Sequence, residues 1–320
     1  MNWRERMRGG LACLGVVVLG LGALRATAAE PCVEGHDPGG WCWKSPGAPS
    51  DDLKDAWAVD AHTVLAVGPP ERVMHWRDGA WRYLPSGTSS TLNAVWAASP
   101  QDAWAVGEAG TIVHWDGLAW TQVRTGGSML FAVFGTSPRD VWAGGEDGLL
   151  LHWDGLRWND MPGVTSQMIR SLWASGPQDV WLSAADAEDT EGEVLRWNGL
   201  RWSAIPSPGE KVYGLWGFGP QDVWAVGNHG LLANWRGGSW QRAPTFDEHS
   251  ALFKLRGLDS RRLWVVGGSL MRFDGDRLRL EPYDHLSATR LAAVAIGEGG
   301  PLLAVGGDGA LVRSLDSGRW

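Results

Sequence analysis

Five carboxylates crowd into eight residues at Asp186, Glu188, Asp189, Glu191 and Glu193. An oxygen-rich loop is raw material for calcium, which takes several hard oxygen ligands held by a tight turn. Within the stretch from residue 184 to 193 only Gly192 helps such a turn, so a solvated acidic loop is favoured over a calcium site. A second column of polar side chains reads His75, His114, His152, Arg196, Asn234, Arg272 and Arg313. Imidazoles could chelate a metal, but a position that also accepts arginine cannot be a ligand position; a hydrogen-bonding role is expected. The aspartates Asp102, Asp140, Asp179 and Asp222 follow Pro-containing turns (SPQD, SPRD, GPQD, GPQD). There Asp is expected to accept backbone amides, because a catalytic group should be singular and these recur.

Other catalytic chemistry lacks its residues. The chain has no Gly-x-Ser-x-Gly elbow, no His-Glu-x-x-His and no phosphate-cradling loop. A sialidase-like glycoside hydrolase would need an arginine cluster and a tyrosine nucleophile. Only Tyr83, Tyr213 and Tyr283 exist, and the first two sit at strand ends within repeats. A non-catalytic protein without a cofactor is therefore expected.

The elements that position these residues are copies of one unit. DAWAVGEAGTIVHWDGLAW at Asp102 to Trp120, DVWAGGEDGLLLHWDGLRW at Asp140 to Trp158 and DVWAVGNHGLLANWRGGSW at Asp222 to Trp240 overlay directly. One ladder runs through Trp57, Trp96, Phe134, Trp173, Trp216, Arg256 and Ala295, with steps of 39, 38, 39, 43, 40 and 39 residues. Each unit reads as four short strands separated by turns: 92–98, 103–106, 111–115 and a fourth opening at Trp120 in the second copy. Units that cannot bury their apolar faces alone must stack. The prediction is an all-β fold, a seven-bladed β-propeller of four-stranded antiparallel blades over residues 53–320.

Residues 1–28 carry arginines before an apolar run from Leu11 to Leu24 and then Ala26-Thr27-Ala28, the tripartite pattern of a secretory signal peptide. Its removal would take four arginines and Glu5, shifting the net charge from −8 to −11. An acidic surface argues against nucleic acid and anionic lipid. No further apolar stretch reaches membrane-spanning length. A monomer released to the periplasm or beyond is expected. In that oxidising setting Cys32 and Cys42, in the segment 29–52, are expected to form a local disulfide rather than a metal site. The same segment contains DPGGWCW at Asp37 to Trp43, similar to the DGLAW turn and strand of the repeats. The seventh copy stops at the opening residue of its fourth strand. The N-terminal segment is therefore expected to supply that strand and close the ring.

Of 23 tryptophans, 19 fall on four repeated positions, which assigns them to packing between neighbouring sheets instead of ligand stacking. The phrase VWAVGEAGTIVHWDGLAWTQV resembles the tectonin repeat, with its Trp-Ala/Gly-Val opening, Gly turn and Gly-x-x-Trp ending. Tectonin repeats usually have Val-Asn where this chain has Val-Gly, and Arg where it has His75, His114 and His152. Resemblance to other propeller repeats, including those of sialidases and photosystem assembly factors, is nearly as good. The resemblance to tectonins implies a secreted lectin-like propeller that binds a glycan or an envelope component. The alternative is a protein-interaction scaffold in the envelope. Loops between second and third strands, with the 184–193 insertion and Glu108, Glu146 and Asp147, are the expected binding face.

Overall fold

The computed structural model describes residues 41–43, 52–77, 80–186, 192–245, 249–281, 291–297, 302–307 and 311–314. They form seven four-stranded antiparallel sheets. Six are built from four consecutive strands each: blades 1 to 6, over residues 55–85, 92–124, 130–160, 169–205, 212–242 and 254–280. The remaining sheet is composite. It joins Leu291–Ile296, Leu302–Gly306 and Leu311–Ser314 to Trp41–Trp43, with Trp41 opposite Ser314 and Trp43 opposite Val312.

The expectation of seven blades of one kind is corrected accordingly. The chain makes six self-contained blades, and the seven-step ladder counts one more than can stand alone. Among the described residues the last repeat supplies three strands, and the backbone groups of its outer strand pair with a strand from the opposite end of the chain. The first strand of every sheet packs against the first strand of the next, and Leu291–Ile296 packs against Asp55–Ala58, so the sheets close into a ring.

Local chemistry explains the unit. In blade 2, Leu92–Ser99 pairs with Asp102–Gly107, the Pro100 turn between them, and Leu92 lies opposite Gly107. The second strand ends in glycine because the chain passes too close for a side chain. A Cβ at Gly107 would lie 1.9 Å from the Thr91 carbonyl oxygen, and Gly68, Gly145 and Gly227 meet the same obstacle at 2.1, 1.9 and 1.8 Å. This accounts for Val-Gly where tectonin repeats have Val-Asn. Asp116, Asp154, Asn198 and Asp274 then turn the third strand into the fourth by accepting the amides two and three residues on. These bonds hold Asp154 and Asp274 at a pKa of about 2.

The second-strand tryptophans fill the gaps between blades. Trp104 meets Trp153 and Trp158 of blade 3, Trp142 meets Trp197 and Trp202 of blade 4, and Trp181 meets Trp235 and Trp240 of blade 5. The first-strand aromatics do something else. Trp57 of blade 1 meets Trp96, Phe134 and Trp216 of blades 2, 3 and 5, and Phe134 also meets Trp96 and Trp216, with ring centroids 5.8 to 6.4 Å apart. Side chains from non-adjacent blades can touch only at the axis, so these rings plug the centre. The expectation that all repeated tryptophans lie between neighbouring sheets is corrected for Trp57 and Trp216, whereas Trp96 meets Trp57 and Phe134 of the adjacent blades.

Candidate functional site at the mouth of the ring

The second strand runs antiparallel to the first, so the hairpin after it returns to the face on which the first strands begin. Two sets of residues share this face. The outer set is the acidic rim expected from the sequence. The inner set is the second position of each first-strand register: Lys54, Asn93, Phe131, Arg170, Tyr213 and Phe253, with Ala292 in the composite sheet. Lys54 and Phe253 are exposed and the others half-buried. Each follows a fully buried Leu, Ile or Val, and at Asn93, Phe131, Arg170, Tyr213 and Ala292 the ladder carries a β-bulge at that residue. Arg170 lies over the Tyr213 ring at 5.8 Å, and Tyr213 lies 5.9 Å from Phe253. Blades 4, 5 and 6 thus present one continuous cation–aromatic–aromatic surface.

The rim residues divide. Glu146 accepts the Met129 amide at 3.2 Å and Asp186 the Met168 amide at 3.2 Å, while Glu108 faces the Thr91 amide at 3.4 Å. In each case the acid ties its hairpin to the residue just before the first strand of its own blade. Asp147 accepts the Ser128 hydroxyl at 2.8 Å. Glu193 begins the third strand of blade 4. Glu188, Asp189 and Glu191 lie outside the described residues, as do Cys32 and the side chain of Cys42. Among the described residues no cluster of three His, Cys, Asp or Glu could hold a metal.

The polar column and the turn aspartates prove to be partners of one another. His114 and His152 lie 2.8 and 2.7 Å from Asp102 and Asp140, Arg196 Nε donates to Asp179 at 2.6 Å, and Asn234 donates to Asp222 at 2.7 Å. The expectation that these aspartates accept backbone amides is corrected: side chains donate to them, including Thr136 to Asp140, Ser175 and Trp181 to Asp179, and Trp224 to Asp222. Burial opposes ionisation of Asp140, but the bonds from His152 and Thr136 outweigh it and hold its pKa below the ordinary value. His75, on the third strand of blade 1, has a buried Nε2 without a partner; burial, with Arg77 and Arg82 nearby, lowers its pKa. His114, His152 and Arg196 each sit over the second-strand tryptophan of their own blade, with Trp142 and His152 stacked at 4.1 Å, so these members of the column are structural.

Among the described residues, polar groups of blades 2 to 5 are spent on one another and the position that varies from blade to blade lies at one mouth, which defines a β-propeller with a differentiated face. Comparison with solved structures agrees on the fold. The chain is similar to a structure described as YCF48 bound to D1 peptide, at 17% identity and TM-score 0.69, covering 88% of this chain and 98% of that one. YCF48 from Cyanidioschyzon merolae matches at 16% and 0.67, covering 85% and 98%. The WD40 β-propeller domain of Doa1 matches at 16% and 0.68, covering 87% and 98%. These likenesses establish the generic propeller fold and nothing of tectonin character. No family model matches the chain, and no curated protein does.

Proposed function

We propose that the protein is a non-catalytic binding propeller that holds a peptide segment of a partner protein at the mouth formed by Lys54, Asn93, Phe131, Arg170, Tyr213 and Phe253. The observation that carries this reading is the variation of that position. Where the inter-blade tryptophans, turn residues and strand-end glycines largely repeat, this position passes through cation, amide, aromatic and alanine. Packing does not require that change; recognition of one asymmetric ligand does. Exposed Phe253 and half-buried Tyr213 offer apolar area, and Arg170 and Lys54 offer charge, which suits a peptide with apolar and acidic side chains. The rim hairpins, acidic at Glu108, Glu146 and Asp147, repel such a peptide at the edge and favour its entry at the centre. That a similar propeller has been solved with a bound peptide supports the reading.

A peptide array, with hits confirmed by titration, tests it. Saturable binding that Tyr213→Ala and Phe253→Ala together weaken at least 10-fold, with unchanged thermal unfolding, is expected. Saturable binding on a glycan array with no peptide hit would instead support the lectin-like reading, which the exposed aromatics also favour. We further propose export with cleavage after Ala28 or Ala29, on the charge and apolar pattern of residues 1–28. N-terminal sequencing of the exported protein should begin at Ala29 or Glu30, and an intact Met1 would refute cleavage. Among the described residues no helix is long and apolar enough to cross a membrane.

A further inference from the structure

We infer that the axis of the ring, at Arg256 and Lys254, is a binding site for one carboxylate. The inference rests on the peptide reading in that the carboxylate would belong to the segment held at the mouth. Arg256 stands where blades 1 to 5 place Trp or Phe. Its guanidinium lies 5.2 Å from the centre of the Trp57 ring and 4.7 Å from that of Trp216. Both contacts are with ring faces, which leaves the planar edge of N–H donors to make hydrogen bonds. Nη1 donates to the Leu255 carbonyl at 3.0 Å, and the buried Nε has no partner.

The nearby carboxylate is already engaged. Asp55 Oδ1 accepts Lys254 Nζ at 2.6 Å and the Ala56 amide at 2.8 Å, while Oδ2 accepts the Val95 amide at 3.1 Å. Two basic side chains therefore face one carboxylate near the axis, and with both protonated the cluster lacks one negative charge. Burial lowers the pKa of both cations, and for Lys254 the neighbouring Arg256 adds to the effect while Asp55 opposes it. Access differs around the axis. Trp96, Phe134 and Trp173 are buried, but Trp57, Trp216, Lys254 and Arg256 keep partial contact with solvent. The composite sheet contributes only Ala293 and Ala295 at the corresponding positions. Among these first-strand residues partial exposure is thus confined to Trp57, Trp216, Lys254 and Arg256, and Lys254 directly follows Phe253 at the mouth. A carboxylate matches the planar guanidinium edge and carries the single negative charge the site lacks, whereas inorganic phosphate near neutral pH carries more.

Side-chain 15N NMR at constant ionic strength tests this with sodium acetate as the probe. The Arg256 Nε resonance, identified by its loss in Arg256→Met, or in Arg256→Lys should the first variant fail to fold, should shift saturably with acetate. It should respond little to chloride and less to inorganic phosphate. Lys254→Met should weaken the acetate response at least 10-fold while unfolding stays cooperative. A shift linear in acetate, an equal response to chloride, or an acetate response unchanged in Lys254→Met would overturn the site. A stronger response to phosphate would overturn the carboxylate assignment. The probe needs no peptide, so loss of the mouth reading and loss of the axial site are separately visible.

Discussion

Trp142→Ala removes the side chain that locks blade 3 to blade 4. Its indole is 2% exposed, stacks on His152 at 4.1 Å and meets Trp202 of the next blade at 5.7 Å. Truncating a large buried aromatic costs about 3 to 5 kcal/mol, from lost transfer energy and from the cavity left behind. The rigid sheets on either side cannot collapse into the gap, which places this site toward the upper end. For a domain of this size that corresponds to a fall in Tm of roughly 6 to 20 °C. Because the contact crosses a blade boundary, a double-mutant cycle with Trp202→Ala should show a coupling of roughly 0.5 to 3 kcal/mol. Urea unfolding followed by circular dichroism reads both quantities. A loss below about 1 kcal/mol would refute the claim that these tryptophans hold the ring together by inter-blade packing.

Gly107→Ala should be severely destabilising or insoluble, since its Cβ would sit 1.9 Å from the Thr91 carbonyl oxygen, whereas Gly176→Ala, with nothing within 4 Å, should unfold like the parent. Asp140 has a depressed folded-state pKa, so the stability it contributes is present above its ordinary value of 3.8 and is lost as pH falls through the folded value. A Tm series from pH 5 to pH 2 should fall less steeply for Asp140→Asn than for the parent, and parallel curves would contradict the assignment. Removing residues 29–46 exposes the edge at Leu311–Ser314, which should lower Tm and speed amide exchange in that strand; unchanged exchange would mean the pairing with Trp41–Trp43 contributes nothing.

What the sequence made legible was whatever repeats locally. The strands, the Pro100 and Gly117 turns and the structural use of the histidine column follow from period and residue type. So does the strand drawn from DPGGWCW. The fate of the first-strand aromatics was not legible. Whether Trp57 packs between sheets or meets Trp216 from four blades on depends on ring closure over 159 positions, which no local pattern encodes. The mouth is hard to see in the sequence for the opposite reason: it is the position where the repeat fails. The succession Lys54, Asn93, Phe131, Arg170, Tyr213, Phe253 after an apolar residue of fixed register was the available signal. The acidic rim, by contrast, stood out by composition. Yet Glu146 and Asp186 turn out to tether their own hairpins, a bond that the charge pattern alone does not reveal.

The most direct measurement of the central claim is titration of an array-selected peptide against the parent, the Tyr213→Ala/Phe253→Ala pair and a variant neutralised at Glu108, Glu146 and Asp147. Binding weakened at least 10-fold by the mouth pair, and left intact or altered mainly in association rate by the rim variant, is the predicted result. Full affinity in the mouth pair with loss in a folded rim variant would place recognition on the hairpins and contradict the account.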